Sequence, residues 1–271
     1  MATPYLDRKR NLRITLSKDT DRVMVLNTDR ILYCGLLGQR SVMMLGSYTV
    51  FVSLKHPFVI RVADGPWQER SVAVMPPYVP LQVRSPDLMI ATLHIEPETV
   101  DASAIPWLAE SPEYPQAALD TIAERVRALY KRLISGGAAD SCWPFDMDEA
   151  VFGGALPRRR FDPRIESVVD RIKANPCDQF PAEECAATLG LSFSRFLHLF
   201  REETGTTFRR FRAWKRARSL LQYVNLDANL TDVALEAGYP DASHFSHSIR
   251  QIYGLKPKDI FAGSRRLAVL T

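Results

Sequence analysis

Between about Asn11 and Glu98 the apolar residues fall in short β-branched and aromatic runs: Arg30–Leu37, Ser41–Leu45, Tyr48–Leu54, Phe58–Val62, Arg70–Met75 and Leu88–Ile95. Turn residues punctuate them, among them Gly38, Gly46, His56-Pro57, Asp64-Gly65-Pro66, Pro76-Pro77, Pro80 and Ser85-Pro86-Asp87. Many short strands at this spacing predict a sandwich or small barrel. From Pro115 to Ile134 the period changes. Leu119, Ile122, Val126, Leu129 and Leu133 recur at intervals of 3, 4, 3 and 4, while Glu124, Arg125, Arg127, Lys131 and Arg132 take the other faces. That spacing predicts a helix with a coiled-coil seam, able to pair with a second subunit or to pack on its own β domain. Gly136-Gly137 ends it.

A connector follows through Pro163, with Trp143 and Phe145 as anchoring aromatics and the basic run Arg158-Arg159-Arg160. The helical period then returns and holds to the end of the chain. Asp162-Pro163 opens a helix to about Ala174, with Ile165, Val168, Val169 and Ile172 on one face, and Asn175-Pro176 stops it. The expected division is a β-rich domain over 1–136, a linker over 137–161 and a helical domain over 162–271.

Two helix-turn-helix patterns stand in tandem within the helical part, at Pro181–Phe200 and Thr231–Ile249. In the first, Ala186 is followed four positions later by Gly190, then by Leu191, Phe196, Leu199 and Phe200. In the second, Ala234 precedes Gly238 by the same interval, followed by Tyr239, Phe245 and Ile249. Such a unit needs a small residue where its helices cross, a glycine where the chain turns, and apolar residues returning from the second helix. Between the units, Phe208, Phe211, Trp214, Leu220, Leu221 and Val224 mark a long helix running to about Asn225.

Charge separates the two parts. Arg158–Thr271 holds 19 Lys and Arg against 13 Asp and Glu, a balance of +6, which leaves 16 against 18 in the other 157 residues. A basic segment attracts polyphosphate by counterion release. The chain of 271 residues, 46% hydrophobic, is long enough for two cores. No apolar run approaches the ~20 residues that span a bilayer, and the first ten residues lack the apolar stretch of a secretory signal, so a soluble, cytoplasmic protein without a membrane partner is expected. Cys34, Cys142, Cys177 and Cys185 are scattered, which predicts free thiols rather than zinc ligands or disulfides.

At Leu189–Gly205, Phe208–Arg216 and above all Ala234–Pro257, the chain resembles the AraC/XylS family of bacterial transcription regulators. The resemblance covers roughly 162–264. It implies an α+β two-domain fold: an N-terminal cupin-like β barrel with a dimerisation helix, and a C-terminal all-α domain with two helix-turn-helix units. It also implies a sequence-specific regulator of transcription, an activator that works as a homodimer on double-stranded DNA, contacts RNA polymerase and answers to a small-molecule effector held in the barrel. No cofactor is implied.

Both recognition helices of one subunit are then expected to enter the same side of the duplex one helical turn apart, ~34 Å. Ser192 and Asp241 are the expected N-caps. The candidates for base contact are Ser194, Arg195, Leu197 and His198 in the first unit and Ala242, Ser243, Ser246 and His247 in the second; for phosphate they are Arg201, Arg209, Arg216 and Arg250. His198 and His247 stand where relatives commonly place arginine. A guanidinium grips guanine O6 and N7 bidentately, whereas an imidazole offers one ring hydrogen bond, so the guanine preference does not carry over. An imidazole with the ordinary pKa of ~6.5 would tighten binding as pH falls. Leu119, Ile122, Val126, Leu129 and Leu133 are the dimer-helix candidates, and Tyr33, Tyr48, Trp67, Tyr78 and His94 the effector-pocket candidates.

An alternative is a cupin-like enzyme or metal-binding module fused to the DNA-binding domain. Cupin metal sites use a His-x-His pair, and here His56 and His94 stand far apart in sequence. A repair protein that borrows this domain would need clustered cysteines. No nucleophile–base pair, phosphate loop or metal set stands at recognisable spacing, so no enzymatic activity is expected.

Overall fold

A computed structural model describes residues 21–37, 41–108, 116–135, 146–224, 229–263 and 267–270. The Gly136-Gly137 stop, the Trp143 and Phe145 anchors, Cys142 and Asn225 lie outside them.

The N-terminal part holds eight strands: β1 (Arg22–Leu26), β2 (Arg30–Leu36), β3 (Tyr48–Val52), β4 (Phe58–Val62), β5 (Gln68–Arg70), β6 (Val72–Met75), β7 (Leu81–Arg84) and β8 (Met89–Ile95). Ser41–Leu45 is not a strand; Met43 makes one isolated bridge to Leu81. Three of these strands escaped the pattern, β1, β5 and β7. With β9 (Leu267–Leu270), the sheets are a six-stranded one in the order β6-β3-β8-β2-β1-β9 and a three-stranded one in the order β5-β4-β7, so the barrel is not closed.

Both faces of the large sheet are covered, which is why its strands read as unbroken apolar runs rather than alternating ones. On one face Val50, Val52, Leu93 and Ile95 meet α1 (Gln116–Ile134), whose Leu119, Ile122, Val126, Leu129 and Leu133 all belong to the same buried cluster. Of the two surfaces that the seam of those five residues allowed, it covers its own β domain. Helix α2 (Met147–Phe152) adds Met147 and Val151 to that cluster, and Leu156 follows, so the second half of the expected linker packs as part of the β domain.

The other face of the large sheet contributes Phe51, Ala73 and Ile90, and the small sheet faces it with Phe58, Ile60, Leu81 and Val83. The cluster continues into the helical part through Trp214, Leu220, Val233, Phe245, Ile249, Ile252 and Tyr253. One buried cluster thus runs from the space between the sheets into the C-terminal domain.

That domain holds α3 (Pro163–Ala174), α4 (Ala182–Thr188), α5 (Phe193–Thr204), α6 (Phe208–Ser219), α7 (Leu230–Glu236), α8 (Ala242–Tyr253) and α9 (Pro257–Gly263). Helix α6 is shorter than its apolar pattern suggested, giving way to a 3-10 turn at Leu220–Tyr223. The domain is also not helical to its end. Strand β9 (Leu267–Leu270) returns to the large sheet and pairs in parallel with β1, Met24 opposite Val269. Its Leu267 and Val269 pack with Met24, Ile31 and Val224.

Candidate nucleic-acid interface

The two helix-turn-helix units repeat one geometry. The Leu191 amide donates to the Ala186 carbonyl at 2.9 Å, and the Tyr239 amide donates to the Ala234 carbonyl at 3.0 Å. Between each pair sits a glycine in the left-handed region, Gly190 at φ 65° and Gly238 at φ 69°, where any side chain would be strained. Ala186 and Ala234 are buried at the crossings.

Both second helices are capped as the residue types require. The Ser192 hydroxyl accepts from the Arg195 amide at 3.3 Å, and Asp241 Oδ1 accepts from the Ser243 and His244 amides at 2.7 and 2.8 Å. Both stop at a left-handed glycine whose amide donates back into the last turn, Gly205 to Arg201 and Gly254 to Arg250, each at 2.9 Å. Phe196, Leu199 and Phe200 are buried in α5, and Phe245 and Ile249 in α8.

What remains outward on α5 is Ser194, Arg195, His198 and Arg201, and on α8 Ala242, Ser243, His247 and Arg250, with Ser246 half-buried. Arg209 is exposed at the start of α6. Two candidates sit differently. Leu197 is half-buried against the core of the first unit, because its azimuth lies at the edge of the apolar stripe. Arg216 is half-buried with its guanidinium 5.3 Å from the centre of the Tyr239 ring, which joins α6 to the second unit. The histidines also differ: His198 Nδ1 lies 3.2 Å from Glu202 Oε2 one turn along, while among the described residues no such partner faces His247. The exposed His244 and Phe193, 46% exposed at the first position of α5, were not anticipated. Their helix-end positions carry no periodic signal.

The effector candidates do not converge. The Tyr33 hydroxyl donates to the Leu36 carbonyl at 2.8 Å. Trp67 is flanked by the Arg61 and Arg84 guanidiniums at 5.2 and 4.4 Å from its ring centre. His94 Nδ1 lies 3.0 Å from the Ser47 hydroxyl, with its ring beside Trp214. Tyr48 and Tyr78 alone among the five border one cavity, at the domain boundary rather than inside the sandwich. Trp214, Ile252 and Tyr253 share a buried cluster with Phe51, Phe58 and Leu81 of the two sheets. Among the described residues no three His, Cys, Asp or Glu side chains stand together as a metal site, and no helix is long and apolar enough to cross a membrane.

Residues 185–263 match the helix-turn-helix domain model. That span lies within the stretch, roughly 162–264, whose sequence resembles the AraC/XylS family. The invasion protein InvF of Salmonella typhi is 33% identical over 72 residues, 26% of this chain and 33% of InvF. The HTH-type transcriptional activator RhaS of Klebsiella pneumoniae is 30% identical over 105 residues, 38% of this chain and 37% of RhaS. The chain thus spans about a third of the length of these relatives. The crystal structure of an apo ToxT variant from Vibrio cholerae superposes with a TM-score of 0.53 at 13% identity, covering 88% of this chain and 98% of that one. The ToxT likeness extends to the two-domain fold, with an N-terminal β-rich part and a C-terminal helical part.

The helix-turn-helix domain is bound to the β domain by a buried ionic cluster. Lys215, on α6, meets Glu96 and also Glu98 Oε1, the latter at 2.5 Å. Arg218 Nε reaches Glu96 Oε1 at 2.7 Å, and the Trp214 indole donates to Glu96 Oε2 at 2.9 Å. Burial works to raise the Glu96 carboxyl, but Lys215, Arg218 and the Trp214 bond outweigh it and hold that carboxyl below its ordinary range. Burial dominates at Glu98, whose carboxyl is pushed up. Burial alone would lower Lys215; the two carboxylates reverse this and raise it. Nothing in the hydropathy pattern marks these residues, because the cluster joins positions more than a hundred residues apart.

Proposed function

We propose that the protein is a sequence-specific, DNA-binding transcription regulator in which α5 and α8 are the recognition helices. The observation that carries this reading is the repeated unit, two capped helices each turned on a left-handed glycine, with polar and basic residues left outward on both. On a helix entering the major groove those outward residues reach base edges, and arginines at the flanks reach phosphate.

In this reading Ser194, Arg195 and His198, with Ala242, Ser243, Ser246 and His247, read bases, while Arg201, Arg209 and Arg250 hold the backbone. Activation through RNA polymerase is extended here from relatives that are named activators. A homodimer would use a surface other than the apolar seam of α1. Genomic binding-site mapping followed by fluorescence anisotropy on a recovered site tests the reading. Specific sites should be bound about a thousandfold or more tighter than random duplex. Equal affinity for both would overturn it.

A further inference from the structure

The second helices of the two helix-turn-helix units nearly repeat each other on their outward faces. Set side by side from their caps, Ser192 and Asp241, they present Ser194 and Ser243, His198 and His247, and Arg201 and Arg250 at equal offsets, all six exposed. They part at the first position, where α5 has Phe193 and α8 has Ala242, and at the third, where Arg195 stands against His244. At the fifth, half-buried Leu197 answers to half-buried Ser246. Contacts common to both helices suit either major-groove face equally. What tells one face from the other must come from the positions that differ.

Phe193 is the widest departure. It is 46% exposed, whereas every other phenylalanine among the described residues is buried or half-buried. It also takes part in none of the four buried clusters. A single exposed apolar side chain is ordinary on a protein surface. This one stands in the first turn of α5, directly before the outward Ser194 and Arg195, and is therefore continuous with the face that the DNA-binding reading assigns to base contact.

We propose that Phe193 reads a base: its ring seats the 5-methyl group of a thymine in the major groove that α5 enters, and this contact distinguishes the groove face of α5 from that of α8. Position supplies the first reason. Recognition helices place their N-terminal residues on base edges. Side chains also lean towards a helix N-terminus, so one at the first position projects past the end of the helix. Chemistry supplies the second. Every polar group on the major-groove edges is a hydrogen-bond donor or acceptor, and the thymine methyl is the apolar group of the pattern. A phenyl ring set against a donor or acceptor would strip it of water and return no hydrogen bond. Set against the methyl, it removes apolar surface from water on both sides of the contact. The short side chain of Ala242 offers no such surface at the matching place on α8.

The assignment rests on the DNA-binding reading above, which supplies the duplex. Its test begins by recovering the preferred site of the full-length chain by selection from random duplex. Each thymine of that site is then replaced singly by deoxyuridine, which removes the methyl and nothing else. Fluorescence anisotropy compares the parent with Phe193→Ala and with Val62→Ala, a control at an exposed apolar residue of the β domain, each verified as folded by thermal melting. At one thymine or more, loss of the methyl should weaken the parent and Val62→Ala about threefold to fivefold, as one buried carbon would, and leave Phe193→Ala unchanged. That cycle isolates the contact between ring and methyl from any general effect of the substitution.

Equal penalties for the parent and Phe193→Ala at every thymine overturn the assignment, and so does a preferred site without thymine. Binding of the unmodified site by Phe193→Ala as tightly as by the parent overturns it too, and leaves the ring to a protein partner. A parent chain with no preferred site defeats the regulator reading and the assignment together. A preferred site combined with any of the three overturning results defeats the role of Phe193 alone.

Discussion

Lys215 Nζ lies 2.5 Å from Glu98 Oε1, and the two side chains are 5% and 2% exposed, so a lysine of the helix-turn-helix domain and a glutamate of the β domain are desolvated together. With Glu96 and Arg218 they form a cluster in which two carboxylates face two cations. Such a group is weak evidence for net stability, but removing one member leaves an uncompensated buried charge.

Lys215→Met is therefore expected to cost about 3–5 kcal/mol in urea unfolding of the full chain. Combining it with Glu98→Gln should cost less than the two single changes added, because the partners are in direct contact. Strict additivity would show that the groups are not coupled.

The pH dependence has a definite sign on each side. The lowered Glu96 carboxyl contributes stability that is in place above the ordinary glutamate pKa of ~4.3 and is lost as pH falls through its depressed folded value. Raised Lys215 contributes stability that is in place below the ordinary lysine value of ~10.4 and is lost as pH rises through its elevated folded value. Raised Glu98 acts the other way, favouring the fold at low pH and losing that contribution as pH rises through its elevated value. Melting temperatures across pH should show Glu96→Gln more destabilising than Glu98→Gln at neutral pH, with the difference shrinking in acid. The reverse order would contradict this assignment.

The paired turn glycines should not respond alike. At Gly190 an added Cβ meets nothing within 4 Å, so Gly190→Ala carries only the left-handed backbone cost, about 1–2 kcal/mol. At Gly238 the same atom would lie 2.4 Å from the Cys177 carbonyl oxygen, and Gly238→Ala should exceed that by at least about 1 kcal/mol, as overpacking does. Urea midpoints of the two variants check the ranking.

Arginines on the candidate interface should separate by environment. Arg201→Ala, Arg209→Ala and Arg250→Ala should weaken binding to all duplexes alike and lower the salt slope by about one. Arg216→Ala should instead lower the melting temperature, because that guanidinium stacks on Tyr239. A sequence-selective loss at Arg201 would move it to base readout.

Local chemistry sufficed for the helix-turn-helix units. Ala186, Gly190, Ala234 and Gly238 are demanded within a few residues of their neighbours by steric crossing and backbone conformation, and Ser192 and Asp241 satisfy amides of their own first turns. The outward faces of α5 and α8 followed from the same period, except where Leu197 lies at the edge of the stripe. Tertiary structure alone decided what the apolar seam of α1 covers, since one helical stripe suits a partner subunit and a sheet equally well. It alone returned Leu267–Leu270 to the sheet beside β1, because strand pairing depends on which edge is free. It alone assembled Glu96, Glu98, Lys215 and Arg218, and joined Trp214 to the buried cluster of the two sheets. Periodicity reports which face of an element is apolar, but not which distant surface will cover it.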